Sequence, residues 1–107
     1  MLDKVAAIAA RYEELNEMMS DPEVLADPGR LRELAQEQAE IAPLVDAYGR
    51  YQAVTKELAN TETMLAGPLD AEMVELVREE VESLRGQRDA LLEDMKKLLL
   101  PTDPRDQ

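Results

Sequence analysis

Apolar residues recur at steps of three and four at Leu31, Leu34, Ile41, Leu44/Val45, Tyr48, Tyr51, Val54, Leu58 and Met64/Leu65. That spacing keeps them on one stripe of a helix, with Gln38 and Thr61 as polar interruptions. It predicts a single long helix over residues 28–65. At about 1.5 Å of rise per residue the helix is roughly 57 Å long, far more than a compact domain of this size needs. Pro43 falls inside it, where it removes one hydrogen bond and crowds the carbonyl of Ala39. Because the stripe continues without a change of phase, the expectation is a kink near 39–43 and not a break. Other elements must cover so long a stripe.

The flanking segments carry the same period. A first helix over about 2–19 places Leu2, Val5, Ile8, Tyr12, Leu15 and Met18/Met19 on one face. Its opposite face carries Arg11, Glu13, Glu14, Asn16 and Glu17. Ser20-Asp21-Pro22-Glu23 then reads as a fresh helix start, with either Asp21 as cap or a Ser20/Glu23 capping box. A one-turn helix at 22–26 follows, and Asp27-Pro28 repeats the signal, so residues 20–27 form a corner. Ala66-Gly67-Pro68-Leu69-Asp70 reads as a turn between helices, with Gly67 left-handed past the helix end and Asp70 capping the next. Leu69 and Val74 are placed to form a hydrophobic staple.

The last helix, about 71–100, turns Met73/Val74, Val77, Val81, Leu84, Leu91/Leu92, Met95 and Leu98/Leu99 inward. Acids open it and Lys96 and Lys97 close it, which suits the helix dipole, and Glu93 with Lys97 makes an i,i+4 pair. The short turn makes the two long helices antiparallel neighbours. Counting back from it sets Ile41 near Met95, Val45 near Leu91, Leu58 near Arg78, and Gly49 almost opposite Gly86, where the backbones could approach closely. The expected fold is all-α: a three-helix antiparallel bundle at one end and a coiled-coil-like hairpin, residues about 50–85, projecting from it. Residues 1–100 form one helical domain on this reading, and 101–107 a linker to a following domain.

Composition narrows the function. At 107 residues the chain is one domain or part of one; it is 45% apolar but 3% aromatic (Tyr12, Tyr48, Tyr51), which suits a thin core between helices. Twelve basic against 24 acidic residues give a net charge of −12, which repels nucleic acid and anionic membrane. Without cysteine there is no disulfide, thiolate nucleophile or thiolate zinc site, and without histidine the commonest general base and metal ligand is missing. The N-terminus lacks a basic region followed by an apolar run, and nowhere do 18 apolar residues run together. A soluble, cytoplasmic protein is expected.

Candidate chemistry is sparse. Glu13/Glu14/Glu17, Glu79/Glu80/Glu82 and Glu93/Asp94 sit on outward helix faces, whereas acid–base catalysis needs a pair held across a cleft. The glycines at 29, 49, 67 and 86 form no phosphate loop, and Arg50, Lys56 and Arg85 form no basic stripe. Met64, Met73 and Met95 read as core. No catalysis, cofactor or metal site is expected. In Leu98-Leu99-Leu100 the helix turns two leucines inward and leaves a third exposed.

Three motifs are more specific: Asp21-Pro22-Glu23-Val24 with Asp27-Pro28, Ile41-Ala42-Pro43-Leu44-Val45 with Tyr48, and Leu98-Leu99-Leu100-Pro101-Thr102-Asp103-Pro104. In this order and spacing the chain resembles the N-terminal domain of the bacterial peptide chain release factor 1 family. The type 1 assignment rests mainly on Leu98–Pro104, which the sister type 2 factors lack. The resemblance implies translation termination, in which the full-length family reads UAA and UAG with a P-x-T tripeptide and hydrolyses peptidyl-tRNA with a G-G-Q loop. This chain holds neither motif, so no direct codon reading or catalysis is carried over. The implied role is an accessory docking domain near the ribosomal stalk base, with the class II release-factor GTPase and the release-factor glutamine methyltransferase as further partners. Candidate contact residues lie at the hairpin tip: Gly67, Pro68, Leu69, Glu72, Glu75 and Glu79. The competing reading is a free-standing acidic coiled-coil scaffold or dimerisation module, and an isolated domain of this kind is expected to self-associate.

Overall fold

A computed structural model describes residues 1–100 as four helices: α1 (Leu2–Met18), α2 (Pro22–Leu25), α3 (Pro28–Leu65) and α4 (Ala71–Leu99). The expected linker at 101–107 lies outside the described residues. Three of the four helix starts are held by an aspartate. Asp21 Oδ1 accepts the Glu23 N–H at 2.9 Å, Asp27 Oδ1 the Arg30 N–H at 3.1 Å, and Asp70 Oδ1 the Met73 N–H at 2.8 Å. Each such cap is worth about 1 kcal/mol. Asp21 is therefore the cap at the corner, and the Ser20 hydroxyl instead donates to the Asn16 carbonyl at 3.2 Å.

Between α3 and α4 the expected left-handed glycine is absent, since no glycine among the described residues has positive φ. The last turn of α3 tightens instead. Ala66 N–H bonds the Thr63 carbonyl at 3.1 Å and Gly67 N–H the Met64 carbonyl at 3.2 Å, so the orphan carbonyls are met by shorter-range bonds.

α3 runs through Pro43 as one helix. The proline is exposed while its neighbour Leu44 is buried, so the ring points to solvent and the packing face is intact. Two clusters hold the neighbours of α3. Val5, Leu44, Ala47 and Met95 bring α1, α3 and α4 together, with Leu2, Ile8, Tyr48, Tyr51, Leu92 and Leu99 around them. The Tyr48 and Tyr51 rings stack with centroids 6.4 Å apart. Leu58, Val77, Val81 and Leu84 form the second cluster, with Val54, Leu65 and Leu69, from α3, α4 and the turn alone. Leu15 of α1 and Leu34 of α3 are also buried, outside both clusters.

The all-α architecture and the long hairpin are as the periodicity predicts, but the register differs. Met95 clusters with Leu44 and Ala47, about one turn beyond Ile41, and Leu58 with Val77, Val81 and Leu84 around the expected Arg78. Leu69 of the turn packs against the Leu58 cluster. Three-helix packing centres on Leu44 and Ala47. α4 ends one turn past Met95, so among the described residues the first turns of α3 are flanked by α1 and α2 alone. The molecule is accordingly long, 63 × 39 × 19 Å with a radius of gyration of 19.5 Å. A compact domain of this size would have about 13 Å.

Three further expectations differ from the structure. Met64 and Met73 are exposed, because Leu65 and Val74 take the inward positions beside them. Of the three terminal leucines only Leu99 packs on the core, while Leu98 and Leu100 are 46% and 69% exposed. Gly49 and Gly86 do not mark a close approach: a Cβ at either would meet no atom within 4 Å.

Two expectations about stability follow. Gly49→Ala and Gly86→Ala should each stabilise the chain by about 0.5–1 kcal/mol, seen as a higher urea midpoint at unchanged slope. Pro43→Ala returns a donor to the Ala39 carbonyl and should leave stability unchanged or raise it by up to about 3 kcal/mol. A loss greater than about 1 kcal/mol in the same titration would mean that the packing requires the proline.

Candidate partner-binding surfaces

The predicted tip residues are brought together, with one exception. Glu72, Glu75 and Glu79 follow one another at steps of three and four on the face of α4 opposite Val77 and Val81. All three are exposed, and none is in an ion pair among the described residues. Gly67 and Pro68 are exposed beside them. Leu69 is half-buried against the Leu58 cluster and holds the turn down, so little of it faces a partner. Between residues 62 and 82 stand seven carboxylates and a single cation, Arg78. This end of the hairpin is a concentrated negative surface.

Arg11 is not on the outward face of α1. Its guanidinium forks onto Glu37 of α3, with Nε to Oε2 at 2.6 Å and Nη2 to Oε1 at 2.9 Å, while Nη1 holds Glu14 Oε1 at 2.6 Å. One turn away Gln38 Nε2 donates to Asn16 Oδ1 at 2.6 Å. A planar fork accepts a carboxylate in only a narrow range of positions, so these contacts set how α1 sits along α3. Hydrogen bonding from Arg11 holds the Glu37 carboxyl below the usual glutamate range, against the opposing effect of desolvation. The same bond raises the Arg11 pKa. Nothing in the hydrophobic period pointed to this pair, because Glu37 looks like any outward acid until α1 is placed beside it.

Other charges are spent locally. Arg50 pairs with Asp46 at 3.1 Å and Arg85 with Glu62 at 3.6 Å across the hairpin. Glu93 takes Lys96 at 3.2 Å instead of the expected Lys97. No group of three or more potential metal-ligating side chains occurs among the described residues.

A second surface was not anticipated. An open groove runs between α3 and α4, from Pro43, Asp46 and Leu98 near the base to Ala53, Val54 and Gln87 farther along. It lies on the side of the hairpin away from α1, since α1 packs beside Tyr48, Leu92 and Leu99. The signal in the sequence is a second stripe on α4, one position off the core stripe, which includes Leu76, Ala90 and Leu98.

Fold and surfaces define an elongated acidic helical hairpin in which no polar side chain among the described residues is fully buried. Comparison with known proteins gives the family: residues 8–107 match the PCRF domain, and the chain belongs to that family. It is similar to the N-terminal part of bacterial peptide chain release factor 1. Identity is 48% to the Levilactobacillus brevis protein over 99% of this chain and 29% of that protein. For the Bacillus subtilis and Bacillus mycoides proteins it is 46%, over 99% of this chain and 30% of theirs. The chain thus spans about 30% of the length of the curated relatives it matches. No solved structure matches it.

The Arg11–Glu37 fork makes a pH-dependent contribution. With the folded Glu37 pKa depressed, the contribution is present above the ordinary glutamate range and lost as pH falls through the folded value. Glu37→Gln should therefore flatten the acid side of the stability–pH profile and leave its shape above about pH 6 unchanged. Both side chains are more than a third exposed, so the effect is small and shrinks further with added salt. Urea titrations across pH at low and high ionic strength measure it.

Proposed function

We propose that this chain is a non-catalytic docking domain of a class I peptide chain release factor and acts in translation termination as part of such a factor. The observation that carries the reading is the match to the PCRF domain, with 46–48% identity to release factor 1 over 99% of the chain. Stop-codon reading at UAA and UAG, and peptidyl-tRNA hydrolysis, belong in that family to P-x-T and G-G-Q segments that this sequence does not contain. The contribution of this domain is a contact between proteins in the cytoplasm. No helix among the described residues is long and apolar enough to cross a membrane.

In this proposal the hairpin tip, with Gly67, Pro68, Glu72, Glu75 and Glu79, reaches the stalk-base region of the ribosome. A surface with seven carboxylates and one arginine favours basic ribosomal protein over phosphate backbone. The class II release-factor GTPase and the release-factor glutamine methyltransferase are further partners of the same domain.

A chimera tests this, with the chain replacing the corresponding part of the Bacillus subtilis release factor. The chimera should bind ribosomes and release peptide. Glu72→Lys, Glu75→Lys and Glu79→Lys together should weaken ribosome binding about tenfold, with release at saturating factor unchanged. Unchanged binding would remove the tip from the docking account. Release lost at saturation would place the domain in the chemistry and overturn the non-catalytic reading.

A further inference from the structure

Four of the large apolar side chains exposed to solvent stand on one side of the hairpin. Leu76 is 54%, Met64 47%, Leu98 46% and Met73 39% exposed. On α4, Met73, Leu76, Gln87, Ala90 and Leu98 follow one helical stripe, and on α3 Pro43, Arg50, Ala53 and Met64 follow another. The shared groove between Ala53 and Ala90 shows that the two stripes face the same way. The helices leave a trough from Pro43 and Leu98 at the base to Ala53, Val54 and Gln87, and the exposed Met64, Met73 and Leu76 continue the apolar face toward the tip. α1 packs on the other side, and no element among the described residues covers this one.

We propose that this face is a docking surface for a basic amphipathic helix of a partner protein, laid along the α3–α4 groove as a third strand of the coiled coil. Charge selects the occupant. Glu57, Glu80 and Asp94 stand along the two stripes with no ion pair among the described residues, and Arg50 is already paired with Asp46. Lys97 at the base end is the remaining cation of the groove wall. A second copy of the chain, itself at −12, would bring like charge onto this rim. A helix with an apolar spine and lysine or arginine flanks meets both the trough and the rim. The distance from Met73 to Leu98 along α4 is about 37 Å, which a helix of about 25 residues spans. The groove is lined by residues between Pro43 and Val54 and between Gln87 and Leu98, and by none of the tip residues Glu72, Glu75 and Glu79. It therefore stands whether or not the tip docks on ribosomes.

The test uses the 107-residue chain and a labelled designed helical peptide of about 25 residues, with leucines at steps of three and four and lysine flanks. A second peptide carries glutamate flanks. Fluorescence anisotropy at about 0.15 M salt reads binding. The lysine peptide should bind and the glutamate peptide should not. Ala90→Arg, in the trough, should weaken the lysine peptide about tenfold or more. Ala59→Arg, exposed on the opposite side of α3, makes the same charge change and should alter binding by less than about twofold. Circular dichroism confirms that both variants remain helical. Equal loss in the two variants would mean attraction by bulk charge and would overturn the proposal. So would absence of binding up to about 1 mM peptide. Sedimentation showing a dimer that Ala90→Arg dissociates would reassign the face to self-association and overturn it as well.

Discussion

A helix of 38 residues with a proline inside it depends on how its apolar stripe is covered, and no single neighbour here is long enough. α1 has 17 residues and α4 has 29, and they approach from different ends. Their coverage overlaps at Val5, Leu44, Ala47 and Met95, immediately after Pro43. There the backbone ladder of α3 lacks one bond, and side-chain packing makes up the continuity. Each buried Leu or Met side chain contributes about 1.5–3 kcal/mol, enough to offset what the proline costs. The rest of the molecule hangs from that junction: one arm is α1 with α2 on the start of α3, and the other is the α3–α4 hairpin.

Charge has a different role from apolar contact. The ion pairs are exposed or half-exposed, so they add little to stability. The Arg11 fork matters for geometry, since it aligns α1 on α3 where apolar contact alone would tolerate sliding. Acids in no ion pair among the described residues lie along the whole molecule, with the densest group, residues 70–82, at the end of the hairpin. A long, thin, negatively charged arm has much surface for its mass and little interior in which to build an enclosed site. That shape suits the contact role proposed for the tip and the groove.

The two candidate surfaces differ in physical character. The tip is charged and projecting, the kind of surface that steers an encounter and is sensitive to salt. The groove side is apolar at its ends and acidic along its rim, the kind that holds a helix by shape. A domain with both could make one contact without giving up the other.

Much of the architecture was legible in the residues alone, because the signals are local. Asp21-Pro22, Asp27-Pro28 and Asp70 write the helix starts, and steps of three and four write the stripes, since a capping bond or a helical face needs only nearby residues. The lack of histidine and cysteine is likewise a property of the sequence alone. What the tertiary structure decided is everything that compares two elements. The register of α4 along α3 put Met95 on Leu44 and Ala47. Among the described residues no neighbouring helix meets Met64, Met73, Leu76 and Leu98 on their side of the hairpin, so they stay in solvent although each looks apolar enough for a core. The packing of α1 on α3 turned Arg11 from a surface charge into the clamp on Glu37. Helical period fixes the angle of a residue about its own axis, but only packing decides whether a neighbouring helix lies there to meet it.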